Sequence, residues 1–434
     1  MKICMIGTGY VGLVSGTCFA DIGNEVFCVD DNIDKINKLN SGVSPIYEPG
    51  LDELIQKNYK AKRLFFTTDL KKAITVSDII FICVGTPNIK KSLKVNLSFV
   101  YKCTKEILSI SKKKKIIVTK STVPLGTGDE IEKILKKKKK LFSVISNPEF
   151  LREGEAIRDF RYPDRIVIGS NNKHEFKLMQ KLYTPLINKG AKFFTTSRRG
   201  AELIKYVANA FLATKITFIN EIANMCEQSG VNIEDIALGI GSDTRIGGRF
   251  LRPGPAYGGS CFPKDTKGLV SAAEKYKTNL SIVKSVIKSN HERVNLLTKR
   301  VHKILGNNLK GKRISILGVT FKPNTDDMRD STSLKMLPYL SKKGAIISYY
   351  DPSGEKNEFK KLLNCNFKKN IKDNCLHTDL IILLTEWDEF KSIDFKKAVK
   401  KKKFKIYDLR NIYTADEMKK NKIKYYSVGR PDTN

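Results

Sequence analysis

A strand, a glycine fingerprint, a helix, a second strand and an acid fill the first thirty residues, and that order constrains the fold more than any other feature of the chain. Lys2–Ile6 is a short apolar run, Gly7-Thr8-Gly9-Tyr10-Val11-Gly12 follows, and a helical stretch extends to about Ile22. Glu25–Val29 is a second apolar run, closed by Asp30. The three glycines serve a tight turn, a close approach of backbone to a pyrophosphate, and packing of the helix on the sheet. The helix N-terminus offers amide hydrogens and a partial positive charge to the phosphates. Asp30 stands where a carboxylate accepts both ribose hydroxyls, which favours NAD over NADP. Asp31 is the competing carboxylate, and strand alternation favours Asp30. Gly7, Gly9, Tyr10, Val11, Gly12 and Asp30 are the first cofactor candidates.

Further apolar runs at 78–84, 115–120 and 141–146 are separated by helix-length segments, which argues for a parallel sheet with helices on both faces. Two of these runs end in polar, loop-like residues, so Thr86 and Thr119 are either cofactor-side groups or simple turn closers. From about 198 to 230 the apolar period becomes helical, through Ala201, Leu203, Ile204, Val207, Ala208, Phe211 and Leu212. A second long helical segment is expected over 265–305. The α/β theme then returns, with strands at 312–317, 345–350, 379–384 and 404–407 and a helix at 331–343. The loop after the first of these strands, Gly318-Val319-Thr320-Phe321-Lys322, lacks the full fingerprint, so a ligand other than the dinucleotide is expected there. The expected fold is α/β: two Rossmann-like doubly wound domains joined by a long-helix central region, with boundaries at 1–197, 198–305 and 306–434.

Composition narrows the class. A chain of 434 residues with 41% hydrophobic content exceeds one ordinary core and reads as globular. No apolar run approaches the roughly 18 residues of a membrane span, and the opening MKICMIG reads as a buried strand rather than a signal peptide. A cytoplasmic location is expected. Nine cysteines without a regular spacing fit reduced thiols better than a disulfide framework, and Cys4, Cys28 and Cys83 read as small hydrophobes within strands. The four histidines show no metal-ligand spacing, so no metal is expected. The net charge of +34 admits nucleic acid as a partner class. Its lysine runs at 112–115, 136–140 and 400–403 lack arginine and interleaved aromatics, and solvated faces explain them better.

The strongest chemical signal outside the fingerprint is Tyr257-Gly258-Gly259-Ser260-Cys261-Phe262-Pro263-Lys264-Asp265. Two glycines that clear the approach to a thiol, and a proline after it, make Cys261 either a nucleophile or a small buried residue. Lys205 and Asn209 are four apart on the apolar helix and share a face. Lys205 is a base in low dielectric or a lysine reaching for the surface. Cys261 and Asp265 are also four apart, as are Glu149 and Glu153. The two glutamates either activate water and contact cofactor or cap a solvated helix start. A dinucleotide site together with a poised cysteine is the combination that oxidises an aldehyde, by thiolate addition, oxidation and hydrolysis of a thioester.

GTGYVG, VGTP, STVP, SNPEFLREG, ELIKYVANAFLATKI, RPGPAYGGSCFPKD and FKPNTDDMRDS together resemble the UDP-glucose/GDP-mannose dehydrogenase family, in the family's order along the whole chain. The resemblance implies four-electron oxidation of UDP-glucose to UDP-glucuronate with two NAD and one water, in a homodimer or higher oligomer. It implies that Lys205 and Asp265, with a water, take the C6 hydroxyl proton. Cys261 then carries a thiohemiacetal and a thioester, Glu149 and Thr119 serve the hydrolytic water, and Lys205 and Asn209 steady oxyanions. By the same resemblance Lys35, Thr86, Thr122, Glu153 and Arg329 join the cofactor set. Phe150, Leu151, Arg152, Lys205, Asn209, Phe250, Leu251, Tyr257, Gly258 and Lys322 contact substrate, with Arg245 reaching in from a neighbouring subunit. The lysine-rich loop 88–97, with Asn96 where relatives commonly carry aspartate, departs from the pattern. GDP-mannose and UDP-N-acetylmannosamine are the sibling substrates, and the Gly-Gly-Ser-Cys run favours UDP-glucose over the N-acetyl sugar.

Overall fold

The structure, a computed structural model, describes residues 1–89 and 92–431, apart from the side chains of residues 137 and 139. Two residues of the 88–97 loop and two side chains of the 136–140 lysine run therefore lie outside the described residues. The chain divides into two compact units, one of Met1–Ala208 with Lys267–Thr278, the other of Asn209–Thr266 with Asn279–Asn434.

In the first unit, β1 (Lys2–Ile6), β2 (Glu25–Val29), β3 (Leu64–Thr67), β4 (Ile79–Ile82), β5 (Lys115–Thr119), β6 (Phe142–Ser146), β7 (Arg165–Gly169) and β8 (Lys192–Thr196) form one sheet in the order β3-β2-β1-β4-β5-β6-β7-β8. Successive side chains of a strand point to opposite faces, and β1 shows the consequence. Ile3 and Met5 join a core with Leu13, Val14 and Phe19, while Cys4 and Ile6 join another with Ile80, Val100 and Ile107. Both faces are thus covered by helices, which is why the strands read as continuous apolar runs. The strands expected at 78–84, 115–120 and 141–146 pair in parallel, and beyond them β6 and β7 pair antiparallel at Ser146 and Gly169. The segment between them carries the short helix Ala156–Arg161. The chain order reverses between β1 and β4, the place where ligands collect in such sheets.

The second unit holds β9 (Arg313–Leu317), β10 (Ile346–Tyr350), β11 (Cys365–Phe367), β12 (Leu380–Leu383), β13 (Lys405–Asp408) and β14 (Lys424–Ser427), ordered β11-β10-β9-β12-β13-β14 and paired in parallel throughout. The fold is α/β with two doubly wound sheets, and long helices fill the chain between them. Arg198–Ser229 is the longest, at 32 residues, and runs through the boundary between the units. The expected helix over 265–305 is two helices, Phe262–Lys275 and Ser281–Ile304. Lys277 takes a left-handed φ of 56°, and Thr278 N–H returns to the Ala273 carbonyl at 3.0 Å, closing the first helix without glycine or proline.

Candidate active site

The dinucleotide loop is built by contacts that single out each glycine. Gly7 has φ 99°, and a Cβ there would lie 3.0 Å from the Cys83 carbonyl oxygen at the end of β4. A Cβ on Gly12 would lie 1.9 Å from the Gly7 carbonyl oxygen, so only glycine lets the helix Tyr10–Asp21 seat against the turn. Gly9 differs: its φ is −69°, and among the described residues, its chain neighbours aside, nothing lies within 4 Å of where its Cβ would be. Packing gives no reason for a glycine there, whereas approach of a pyrophosphate to the backbone does. Asp30 points inward and accepts from Thr8 N–H at 2.9 Å, Thr8 Oγ1 at 2.8 Å and Lys35 Nζ at 2.9 Å, while Asp31 is exposed. Burial alone would raise the Asp30 carboxyl, but the Lys35 and Thr8 hydrogen bonds outweigh it and hold it below the usual range. These residues fit the phosphates and ribose of NAD.

At the ends of β4 and β5, Thr86 donates its hydroxyl to the Thr122 carbonyl at 2.8 Å, tying the two loops together. Thr119 is buried, and its Oγ1 has no hydrogen-bond partner among the described residues. It lines a cavity of about 10 Å³ with Ser121, Thr122, Ser146, Glu202 and Lys205, room for a single water. Glu149 and Lys205 meet in a buried ion pair, Nζ to Oε1 3.1 Å, with both side chains 4% exposed. Glu149 Oε2 also accepts from Leu151 N–H at 2.6 Å, and Lys205 Nζ lies 5.2 Å over the Phe150 ring. The four-residue spacing of Glu149 and Glu153 is not a helical face, because the segment is an irregular loop that becomes helix only at Ala156. Glu153 is half-buried on that loop and Leu151 packs against the core, whereas Arg152 is exposed and held by Asp159 and Glu155.

In the second unit Asp265 is 1% exposed, accepting from Asn209 Nδ2 at 2.6 Å and from Lys264 Nζ at 2.7 Å. Cys261 is half-buried immediately before the helix Phe262–Lys275, and its carbonyl accepts from Asp265 N–H at 2.8 Å. A thiol at a helix N-terminus sits where negative charge is favoured. Its Sγ lies 3.4 Å from Ser260 Oγ. Burial pushes the Cys83 thiol up to about 12 and raises those of Cys4 and Cys28 too, so these three are the inert hydrophobes their strands suggest.

The two glycines before the thiol correct one expectation. A Cβ on Gly258 would lie 2.5 Å from the Asp330 carbonyl oxygen, and one on Gly259 would lie 2.6 Å from the Phe321 ring. Gly259 N–H also donates to the Arg329 carbonyl at 2.7 Å. They admit the loop after β9 rather than leaving open space at the sulfur. Tyr257 is fixed by both backbone groups to Asn290, and its ring meets Phe262 edge-on at 6.1 Å. Phe250 takes a left-handed φ of 66°, with its ring 6.3 Å from Phe262, and Leu251 is buried. Lys322 Nζ lies 5.6 Å over the Phe321 ring. Arg245 and Arg329 are exposed, with their side chains paired to their near neighbours Asp243 and Asp327.

Residue spacing misses several members. Lys264 is adjacent to Asp265 in the chain and shows no periodic signal. Glu202 lies three before Lys205 on one helix, a spacing that points to it; its carboxylate accepts from Gly126 N–H, Gly128 N–H and Ser146 Oγ. Burial outweighs those bonds and raises its carboxyl. Asp351 follows β10 as Asp30 follows β2, yet it accepts from Val319 N–H at 2.8 Å and Ser353 N–H at 3.0 Å and is 1% exposed. Its carboxylate is consumed by its own loops, consistent with a ligand other than a dinucleotide on this sheet. Among the described residues no cluster of His, Cys, Asp and Glu could hold a metal, and no helix is long and apolar enough to cross a membrane.

Models of one family match the chain in three consecutive parts: its NAD binding domain at residues 1–187, its central domain at 199–292 and its UDP binding domain at 315–415. The chain is 47% identical to the UDP-glucose 6-dehydrogenase of Rhizobium meliloti over the full length of both. It is 44% identical to the UDP-glucose 6-dehydrogenase TuaD of Bacillus subtilis, over 99% of this chain and 93% of that one. Among solved structures, a UDP-glucose dehydrogenase from Pyrobaculum islandicum matches with a TM-score of 0.90 at 31% identity, covering 98% of this chain and 97% of that one. The UDP-D-ManNAc dehydrogenase of Pyrococcus horikoshii matches with a TM-score of 0.87 at 25% identity, covering 99% of each chain. The chain belongs to the UDP-glucose/GDP-mannose dehydrogenase family and is an NAD-dependent dehydrogenase.

Proposed function

We propose that the chain oxidises UDP-glucose to UDP-glucuronate in two successive steps, consuming two NAD and one water. The observation that carries this reading is Cys261 at a helix N-terminus, one turn from a buried Asp265 that is itself held by Asn209. A dehydrogenase that stopped at the aldehyde would need no such thiol. When bound, NAD accepts the hydride of each oxidation; Gly7, Gly9, Tyr10, Val11, Gly12, Asp30, Lys35, Thr86, Thr122, Glu153 and Arg329 are assigned to hold it. Lys205 and Asp265, with a water, take the C6 hydroxyl proton in the first step. Cys261 Sγ adds to the C6 aldehyde carbon as its proton passes to the carbonyl oxygen, and the resulting thiohemiacetal loses the C6 hydride to the second NAD and its hydroxyl proton to Lys205 or water, leaving a thioester. Water cleaves the thioester and returns the thiol, with Glu149 and Thr119 ordering that water. Asn209 and Lys205 donate to the oxygen that gains charge at each tetrahedral stage. Phe150, Leu151, Arg152, Phe250, Leu251, Tyr257, Gly258 and Lys322 are assigned to the sugar nucleotide.

Domain boundaries at residues 1–197, 198–305 and 306–434 accompany this reading, as does a homodimer. Leu203, Val207, Phe211, Phe218 and Met225 form an exposed apolar stripe on one helix, and Phe211 is 64% and Met225 68% exposed. A second copy covering that stripe supports assembly, and Arg245, 87% exposed at its side chain, is assigned to the partner's substrate. Nine free cysteines support a reducing, cytoplasmic setting. The test counts NADH formed per UDP-glucose consumed. Two are expected for the native protein, and in Cys261→Ser the second oxidation stops while NAD binding persists. One NADH with free aldehyde from the native protein, or undiminished UDP-glucuronate from Cys261→Ser, refutes the mechanism.

A further inference from the structure

Lys120, immediately after β5, carries the side chain whose burial the mechanism leaves unexplained. It is 4% exposed, and among the described residues its Nζ reaches only neutral oxygens, Asn147 Oδ1 at 3.3 Å and Tyr183 Oη at 3.4 Å. The anchor itself is fixed. Tyr183 donates to Asn147 Oδ1 at 2.6 Å, Asn147 Nδ2 donates to the Val167 carbonyl at 3.0 Å, and Asn147 N–H donates to the Thr119 carbonyl at 2.9 Å. Asn147 stands two residues before Glu149 in the loop that carries the Glu149–Lys205 pair. The titratable groups around the ammonium are Cys83 after β4, Tyr183 on the helix Lys173–Ile187, Glu149, and Lys205 on the helix Arg198–Ser229. Burial raises both Cys83 and Tyr183, which leaves them neutral near pH 7. Glu149 and Lys205 are then the charges that Lys120 faces.

Burying an ammonium with no carboxylate partner is costly, and a neutral amide would serve the same two oxygens. A lysine here is therefore poorly explained by hydrogen bonding alone, whereas its charge has two neighbours to act on. We propose that Lys120 is a positioning residue of the reaction: its ammonium, anchored by Asn147 and Tyr183, opposes protonation of Lys205, keeping that amine available as a base. This rests on the role given above to Lys205. Burial pulls Lys120 down to about 8, with Lys205 acting in the same direction and Glu149 against it. The effect therefore operates below about pH 8 and fades above it.

The test compares the pH dependence of kcat/KM for UDP-glucose in the native protein, Lys120→Met and Lys120→Arg. Losing a like charge close to a base moves the acidic limb upward by about one pH unit, roughly a tenfold loss of kcat/KM below the limb. In Lys120→Met the expected result is that shift, convergence with the native rate above pH 8, and a KM for NAD within about twofold of native. Lys120→Arg, which keeps the charge, restores the native limb. An unmoved limb in Lys120→Met, or an equal shift in Lys120→Arg, overturns the proposal. Lys120→Gln carries the same expectation if the methionine variant is unstable. Failure of both neutral variants to fold while Lys120→Arg folds makes the residue scaffolding and also overturns it. If the native protein yields no NADH from UDP-glucose, the substrate reading fails instead, and the same limbs are compared on whichever sibling sugar nucleotide it oxidises.

Discussion

Gly9 and Gly12 make opposite predictions from one motif, because the space around them differs. In Gly9→Ala the new methyl meets no atom of the described residues within 4 Å beyond its chain neighbours, and the backbone there, φ −69° and ψ −173°, suits alanine. Replacing glycine at a compatible site removes unfolded-state freedom worth about 0.4–1 kcal/mol, so the folded protein keeps its stability or gains a few degrees in Tm. The same methyl stands where the pyrophosphate must approach the backbone. Losing one charge-assisted hydrogen bond costs about 1.5–3 kcal/mol, a weakening of NAD binding by about 10- to 100-fold. In Gly12→Ala the methyl would sit 1.9 Å from the Gly7 carbonyl oxygen and 2.9 Å from the Cys83 Cβ. Ordinary contact begins at 3.4 Å, so the helix must retreat by about 1.5 Å. Overpacking on this scale costs about 1–3 kcal/mol, or several degrees in Tm. Thermal unfolding without ligand, with calorimetric titration of NAD, separates the two. Native NAD affinity in Gly9→Ala would refute the placement of the pyrophosphate, and undiminished stability in Gly12→Ala would refute the packing argument.

Three other perturbations test the remaining parts. Asp265→Asn removes the buried charge held by Asn209 and Lys264 and is expected to lower kcat by about 100-fold or more while NAD affinity stays native, as stopped-flow NADH formation and NAD titration would show. The Asp30 carboxyl is held below its ordinary range despite burial, so it contributes stability that is present above the unfolded pKa near 4 and is lost as pH falls through the folded value. Denaturant midpoints at pH 6 and pH 3 should show Asp30→Asn trailing the native protein at the higher pH and the gap narrowing at the lower. Phe211→Glu places a charge on the exposed stripe and is expected to shift the protein to monomer in size-exclusion chromatography with light scattering, with the far-ultraviolet spectrum unchanged.

What could be read in the chain divides along the range of the interaction. The dinucleotide loop was legible because its geometry is local, a strand, a turn and a helix start within a dozen residues. Lys205 and Asn209 were legible as neighbours for the same reason, being one helical turn apart. Their partners were not. Glu149 reaches Lys205 from an irregular loop, and no period links them; the four-residue spacing to Glu153 suggested a helical face that the chain does not form. The break at Lys277 escaped notice because a lysine, rather than a glycine, takes the left-handed position. The shortest strands, such as β11 with three residues, carry too few side chains to show alternation.

Gly258 and Gly259 show how a correct signal can be given the wrong cause. Paired glycines beside a cysteine do mark a close approach, but the approaching groups are the Asp330 carbonyl and the Phe321 ring, supplied by a loop some sixty residues onward. Asp30 and Asp351 extend the point. Both are acids at the end of a second strand in a doubly wound sheet, and sequence position does not tell them apart. The contacts do. Asp30 is only partly buried and is fastened to a glycine loop whose Gly9 faces open space, whereas Asp351 is closed in by the amides of residues 319, 320 and 353. Both carboxylates accept from their own loops, and Asp30 differs in lying beside that glycine loop with its side chain 9% exposed, whereas Asp351 is 1% exposed. The closed-in Asp351 is why the proposed sugar-nucleotide site on the second sheet is placed at Lys322 and its loop rather than at the strand-end acid.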